Sequence, residues 1–161
     1  MDKTKKLVSR LMPIALAASA GVVAPAYADL FPAGQACPFP IEITVSDGHA
    51  LNAREFVDED GNVVRLLLTG NSPGLVITNT SSGESYSLKS RGQRQDLAFN
   101  ADGTMVITAT GHTLAVYFSS DGPGPAVIAY IGQLVIDVDA DGVWTIVKQS
   151  GKQVDVCALL E

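Results

Sequence analysis

Charge is scarce in this chain: 17% of its 161 residues are Asp, Glu, Lys or Arg, and 6% are aromatic. There are two cysteines, two histidines and one tryptophan. Each shortage excludes something. So few charges beside 47% hydrophobic residues rule out an intrinsically disordered chain. Two cysteines cannot build a disulfide-dense miniprotein. Two histidines without a spare thiol leave a zinc site short of ligands. Fifteen glycines and eight prolines are scattered, without the three-residue period of collagen. Past residue 28, no apolar run is long enough to cross a bilayer as a helix. What is left is a globular chain, and its length suits one domain.

The opening segment reads as an export signal. Lys3, Lys5, Lys6 and Arg10 form a basic start, Leu11 to Ala24 is apolar, and Ala26-Tyr27-Ala28 offers small residues where a signal peptidase reads them. The expectation is a secretory signal peptide over residues 1–28, a single domain over 29–161 beginning at Asp29, and a secreted or extracellular location. Without residues 1–28 the chain has seven basic against sixteen acidic residues, a net charge of −9. Such a surface repels phosphate backbones and anionic headgroups, so no nucleic acid is expected as a partner. Cations and basic partners fit that charge, and nothing in the sequence sets the oligomeric state.

Cys37 and Cys157 lie near the two ends of the expected mature chain. Export places them in an oxidising compartment, where an even count predicts a disulfide. Closing so long a loop contributes ~4–5 kcal/mol in the chain-entropy model. Pairing also removes both as nucleophiles.

Between them the sequence alternates with a period of two. Ile41, Ile43 and Val45 interleave with Glu42, Thr44 and Ser46, the mark of a half-buried strand. Similar runs cover Leu51 to Val57, Val63 to Thr69, Leu75 to Thr80, Ser85 to Ser90 and Gln93 to Phe99. They continue at Thr104 to Thr110, Thr113 to Ser119, Pro125 to Ile131, Gln133 to Val138, Val143 to Gln149 and Gln153 to Val156. Asp-Gly, Gly-His and Ser-Gly pairs between them read as turns. The prediction is an all-β antiparallel meander of about twelve short strands, barrel-like, with a β-sandwich as the alternative. Only the tail from Cys157 is left for a helical turn.

Motifs that resemble chemistry fail on their details. Gly70-Asn71-Ser72-Pro73-Gly74 matches the G-x-S-x-G nucleophile elbow, but Pro73 has no N–H to serve an oxyanion, and a strand pattern follows where a helix is required. A hairpin loop is expected there. Asp137, Asp139 and Asp141, followed by Gly142, open like a calcium loop; Lys148 stands where the bidentate Glu belongs, and Thr145 where repeat-type loops carry an acid. The expectation is a hairpin turn at Asp139 to Gly142, with Asp137 facing solvent and no tight metal site. Asp58-Glu59-Asp60-Gly61-Asn62 is a second acidic turn. His49 and His112 sit beside glycines in expected turns. No cofactor motif is present, and no pair of acids is singled out by spacing.

The mature chain resembles small secreted proteins of unknown function common in actinobacteria. The resemblance rests on Cys37-Pro38-Phe39-Pro40-Ile41, Arg54-Glu55-Phe56, Asp60-Gly61-Asn62-Val63-Val64-Arg65, Thr78-Asn79-Thr80, Asn100-Ala101-Asp102-Gly103-Thr104, Ala109-Thr110-Gly111-His112, Tyr130-Ile131-Gly132 and Asp155-Val156-Cys157. It implies export and an all-β fold, and supplies no site residues. The functional expectation is a non-enzymatic exported domain that binds a partner or associates with the cell envelope. Two alternatives stand beside it. One is a lipocalin-like barrel carrying a small ligand near Trp144, Tyr86, Tyr117 and Tyr130; the other is a small hydrolase using two carboxylates.

Overall fold

A computed structural model describes residues 28–47, 50–121 and 124–161. Residues 1–27 of the expected signal segment, 1–28, lie outside the described residues, as does His49. The strands are β1 (Ala28–Phe31), β2 (Ile41–Asp47), β3 (Ala50–Val57), β4 (Val63–Asn71), β5 (Gly74–Asn79) and β6 (Ser85–Leu88), followed by β7 (Gly92–Phe99), β8 (Met105–Tyr117), β9 (Ala126–Val138) and β10 (Trp144–Asp155). A four-residue helix, α1 (Val156–Leu159), closes the chain, with the Asp155 carboxylate accepting the Ala158 N–H at its start. The fold is all-β and antiparallel. One sheet has the order β1-β2-β5-β6, the other β10-β9-β8-β7-β4-β3. Both have free edges, so the barrel preference is corrected: the two open sheets fit the sandwich alternative.

Twelve expected strands become ten for a physical reason. Gly111, Gly132 and Gly151 read as turn signals, yet each lies inside a long strand, with Gly111 opposite Gly132 and Gly132 opposite Gly151. All three have positive φ, at 112°, 144° and 99°. A Cβ on Gly132 would lie 2.2 Å from the Ser150 carbonyl oxygen, and one on Gly151 2.3 Å from that of Ile131. Neighbouring backbones here approach as only glycine permits, which is how strands bend without ending. The bend is large. Tyr117 pairs at one end of β9 and Trp144 at the other, about 40 Å apart along a straight strand, yet their rings sit 5.2 Å apart.

The same level of the molecule is where the other strands change sheets. β4 passes into β5 through Ser72 and Pro73, and β6 into β7 through residues 89–91. The expected hairpin loop at Gly70 to Gly74 is therefore a crossing between sheets. Ser72 is buried there: its N–H donates to the Arg91 carbonyl, its Oγ accepts the Arg91 N–H, and its carbonyl accepts the Ser90 hydroxyl at 2.6 Å. Neighbours persist across the crossing, since β2 pairs with β5 as β3 pairs with β4.

β9 explains why the core has two parts. Its Ala-Val-Ile-Ala-Tyr start is apolar without alternation, as expected of a strand covered on both faces. Val127 and Ala129 join Ile41, Ile43, Ile77 and Leu88 of the smaller sheet, together with Val154, Val156 and Leu160. Ile128 and Tyr130 face the other way and meet Ala109, Tyr117 and Leu134, with Ile136, Trp144 and Ile146 against them. Cys37 and Cys157 form a disulfide in the first core, with Cα atoms 5.5 Å apart. Beside it the buried Asn79 amide donates to the Leu160 carbonyl at 2.8 Å.

Candidate functional site

Three hairpins of the larger sheet, β3–β4, β7–β8 and β9–β10, turn through loops of one pattern: an Asp or Asn, any residue, then Asp-Gly. They are Asp58-Glu59-Asp60-Gly61-Asn62, Asn100-Ala101-Asp102-Gly103-Thr104 and Asp139-Ala140-Asp141-Gly142-Val143. In each, the first residue's N–H donates to the fifth residue's carbonyl at 2.9 Å. In each, the glycine N–H returns to the first residue's carbonyl at 3.0–3.1 Å. The glycines sit at φ 85°, 83° and 82°, a left-handed conformation that L side chains resist. Strand alternation carries the chain to these turns, and the ladder register puts all three at the same end of the sheet.

The loop acids divide into two kinds. Asp58 Oδ1 accepts the N–H groups of Asp60 and Asn62, and Asp139 Oδ1 those of Asp141 and Val143. Asp102 Oδ1 accepts both the hydroxyl and the N–H of Thr104, at 2.7 and 3.0 Å. Bonding to the Asn62 side chain and backbone holds the Asp58 carboxyl below its ordinary range, and the Thr104 hydroxyl and N–H do the same for Asp102. These acids hold turns. Glu59, Asp60 and Asp141 are exposed in the same loops, and Asp137 is exposed on β9 just before the third.

The candidate metal triad is thus dispersed by its own backbone. β9 stays extended through Val138, Asp139 begins the turn, and its Oδ1 faces backbone N–H groups. Among the described residues no three His, Cys, Asp or Glu side chains are grouped to hold a metal ion.

Apolar side chains share this end. Val57 and Val143 are each 58% exposed, Val63 40% and Phe99 37%. Between the second and third loops lies a groove of about 350 Å³ of mixed lining, with Met105, Val106, Val138 and Val143 beside Asp137, Asp139, Asn100, Thr104 and Thr145. Apolar surface bordered by acid is what a cationic, partly apolar partner complements.

The other candidates fall elsewhere. Trp144, Tyr117 and Tyr130 pack together in the second core, the two hydroxyls 3.0 Å apart, while Tyr86 packs against the first. Burial, reinforced by the Tyr130 hydroxyl, pushes the Tyr117 phenol above its usual value. His112 Nδ1 lies 2.8 Å from the Lys89 carbonyl, inside β8 and not in a turn. Asp96 lies between Arg65 and Arg94; the hydrogen bond from Arg65, then that from Arg94, holds its carboxyl below the ordinary range despite partial burial. Arg65 also stacks over Phe56, as does Arg54, with guanidinium carbons 5.1 and 4.8 Å from the ring centre.

Read singly, the three loops are turns; their common pattern is visible in the sequence, but their convergence requires the register. No protein-family model, curated protein or solved structure matches this chain.

Proposed function

We propose that the protein is an exported, non-enzymatic β domain that works by surface recognition, as a binding or cell-envelope-associated module. The observation that carries the reading is the loop end of the larger sheet, where exposed valines and Phe99 stand among acids that no turn requires. The Cys37–Cys157 bond is compatible with an oxidising compartment. The partner this end suits is basic and partly apolar, in keeping with the acidic balance of the chain.

A defined pair of probes tests it: an amphipathic Lys–Leu peptide and its Glu–Leu counterpart, followed by fluorescence anisotropy. The Lys–Leu peptide is expected to bind, and less tightly as salt rises. Replacing Glu59→Gln, Asp60→Asn and Asp141→Asn together with Val57→Thr and Val143→Thr should weaken it at least about tenfold. None of these side chains caps a turn, so the variant keeps its fold. Equal binding of both peptides, or undiminished binding by the variant, would sink the reading.

A further inference from the structure

Gly111, Gly132 and Gly151 form a crease across the larger sheet. Between that crease and the loop end, the sheet carries four basic side chains, Arg54, Arg65, Arg94 and Lys148. The register places all four on one face. Arg54 stands opposite Leu67, Leu67 opposite Asp96, Asp96 opposite Thr108, Thr108 opposite Val135, and Val135 opposite Lys148. Directly opposed residues project from the same face. Arg65 lies two residues from Leu67 and Arg94 two from Asp96, so the strand period returns both to that face. No Lys or Arg among the described residues projects from the other face of this part of the sheet. The acids that share the face are Asp96 and Asp137. Four bases against two acids make it cationic, in a chain that beyond residue 28 has seven basic residues to sixteen acidic ones.

Much of that charge is uncommitted. Asp96 is one carboxylate shared by Arg65 and Arg94. Arg54 and Lys148 are exposed and pair with no acid among the described residues. Arg54 and Arg65 both stand over the Phe56 ring, and Leu67 and Val135 lie in the row of Arg54, so the cations are set in apolar surface. The face is basic and partly apolar. The loop end is its converse: three loops with six acids and no base, beside exposed Val57, Val143 and Phe99. Each surface matches the other in charge and in apolar content. Within one copy they look in roughly perpendicular directions, the loops along the strands and the face across the sheet, so neither covers the other.

We infer that the partner of the loop end is a second copy of this chain, with the loops of one copy seated on the arginine face of the next. The inference rests on the surface-recognition reading and names its occupant. A contact between two different surfaces is heterologous: every pair leaves one loop end and one face free, and the assembly extends. Strand spacing and rise give the face roughly 24 Å by 14 Å, under half of the ~800 Å² per partner of a stable complex. The contact is therefore weak, with a Kd of about 100 μM. Two copies of net charge −9 repel at a distance; about 0.15 M salt screens that repulsion beyond ~8 Å and leaves touching pairs their attraction.

Sedimentation equilibrium of the intact protein tests this. At ~1 mM protein and about 0.15 M salt the average mass should be at least about twice that of one chain, and it should fall to one chain at about 1 M salt. The loop-end variant above and a face variant, Arg54→Glu with Lys148→Glu, should each remain single, a loss of at least about tenfold in affinity. Mixed in equal amounts, the two variants should pair and grow no further, because one intact face meets one intact loop end. The face variant should still bind the Lys–Leu peptide as the unaltered protein does, which shows that its fold and loop end are sound. The inference is overturned if the protein stays single at ~1 mM, if the assembly survives about 1 M salt, or if the mixed variants do not pair. A single chain that still takes the Lys–Leu peptide would overturn the second copy and leave surface recognition standing, with a foreign partner; failure of the peptide as well would remove both.

Discussion

At the scale of single residues, the side chains with perturbed chemistry act on structure. Asp96 receives Arg65 Nε at 2.7 Å and Arg94 at 3.2 Å, and Asp58 and Asp102 receive the N–H groups of their own loops. All three carboxyls are held below their ordinary values, so their stabilisation is present above the unfolded pKa of about 3.9 and is lost as pH falls through the lower folded values. Asp96→Asn is therefore expected to cost about 1 kcal/mol at pH 7, a modest amount because Arg65 and Arg94 are largely exposed. The difference from the unaltered protein should persist at pH 5 and close only below the carboxylate range. Thermal melts across that pH series check it, and a difference that vanished by pH 5 would place the stabilisation elsewhere. The turn at Asp139 was legible in the sequence because Leu134, Ile136 and Val138 hold β9 extended up to it. The pairing of Asp96 with Arg65 was not, since 31 residues separate them and only the sheet register joins them.

At the scale of elements, glycine has two roles that the sequence does not separate. Gly83 and Gly132 both interrupt apolar alternation and both have positive φ. Gly83 ends β5's approach to β6, and a Cβ there would meet nothing within 4 Å. Gly132 continues a strand, and its Cβ would strike the neighbouring backbone at 2.2 Å. The distinction lies in the glycines opposite it, a long-range fact, and this is why three bends read as turns. β1 was missed for a different reason: it is four residues long and followed directly by Pro32, a pattern that reads as loop. Gly83→Ala should cost about 1 kcal/mol, the price of a left-handed L-residue. Gly132→Ala should cost about 3 kcal/mol or more, through backbone strain at a packed crossing. Chemical denaturation of the two variants measures both; equal losses would mean that the crease tolerates a side chain.

At the scale of the whole molecule, one bond ties the start of the fold to its last element. The Cys37–Cys157 link joins the loop before β2 to α1 inside the first core, beside Ala36, Val156 and Leu160. The second core does not contain it. Reduction is therefore expected to lower the melting temperature by roughly 10 °C or more while leaving one cooperative transition. Calorimetry with and without a phosphine reductant checks this, and complete unfolding on reduction would show the packing to be insufficient alone. Strand content and the disulfide were readable from alternation and cysteine count. Two open sheets in place of a barrel were not, because closure depends on whether β7 follows β8 past Thr110, and pairing partners are invisible in a linear pattern.

The same bond has a consequence in time. Its two cysteines are 120 residues apart, and a chain that emerges N-terminus first presents Cys37 long before its partner. β2 must wait for β5, and the core around Ile41 and Ile77 must wait for Val154, Val156 and Leu160. That core cannot be sealed until the final residues appear. The nascent domain thus stays unlatched until the segment that carries Cys157 has emerged.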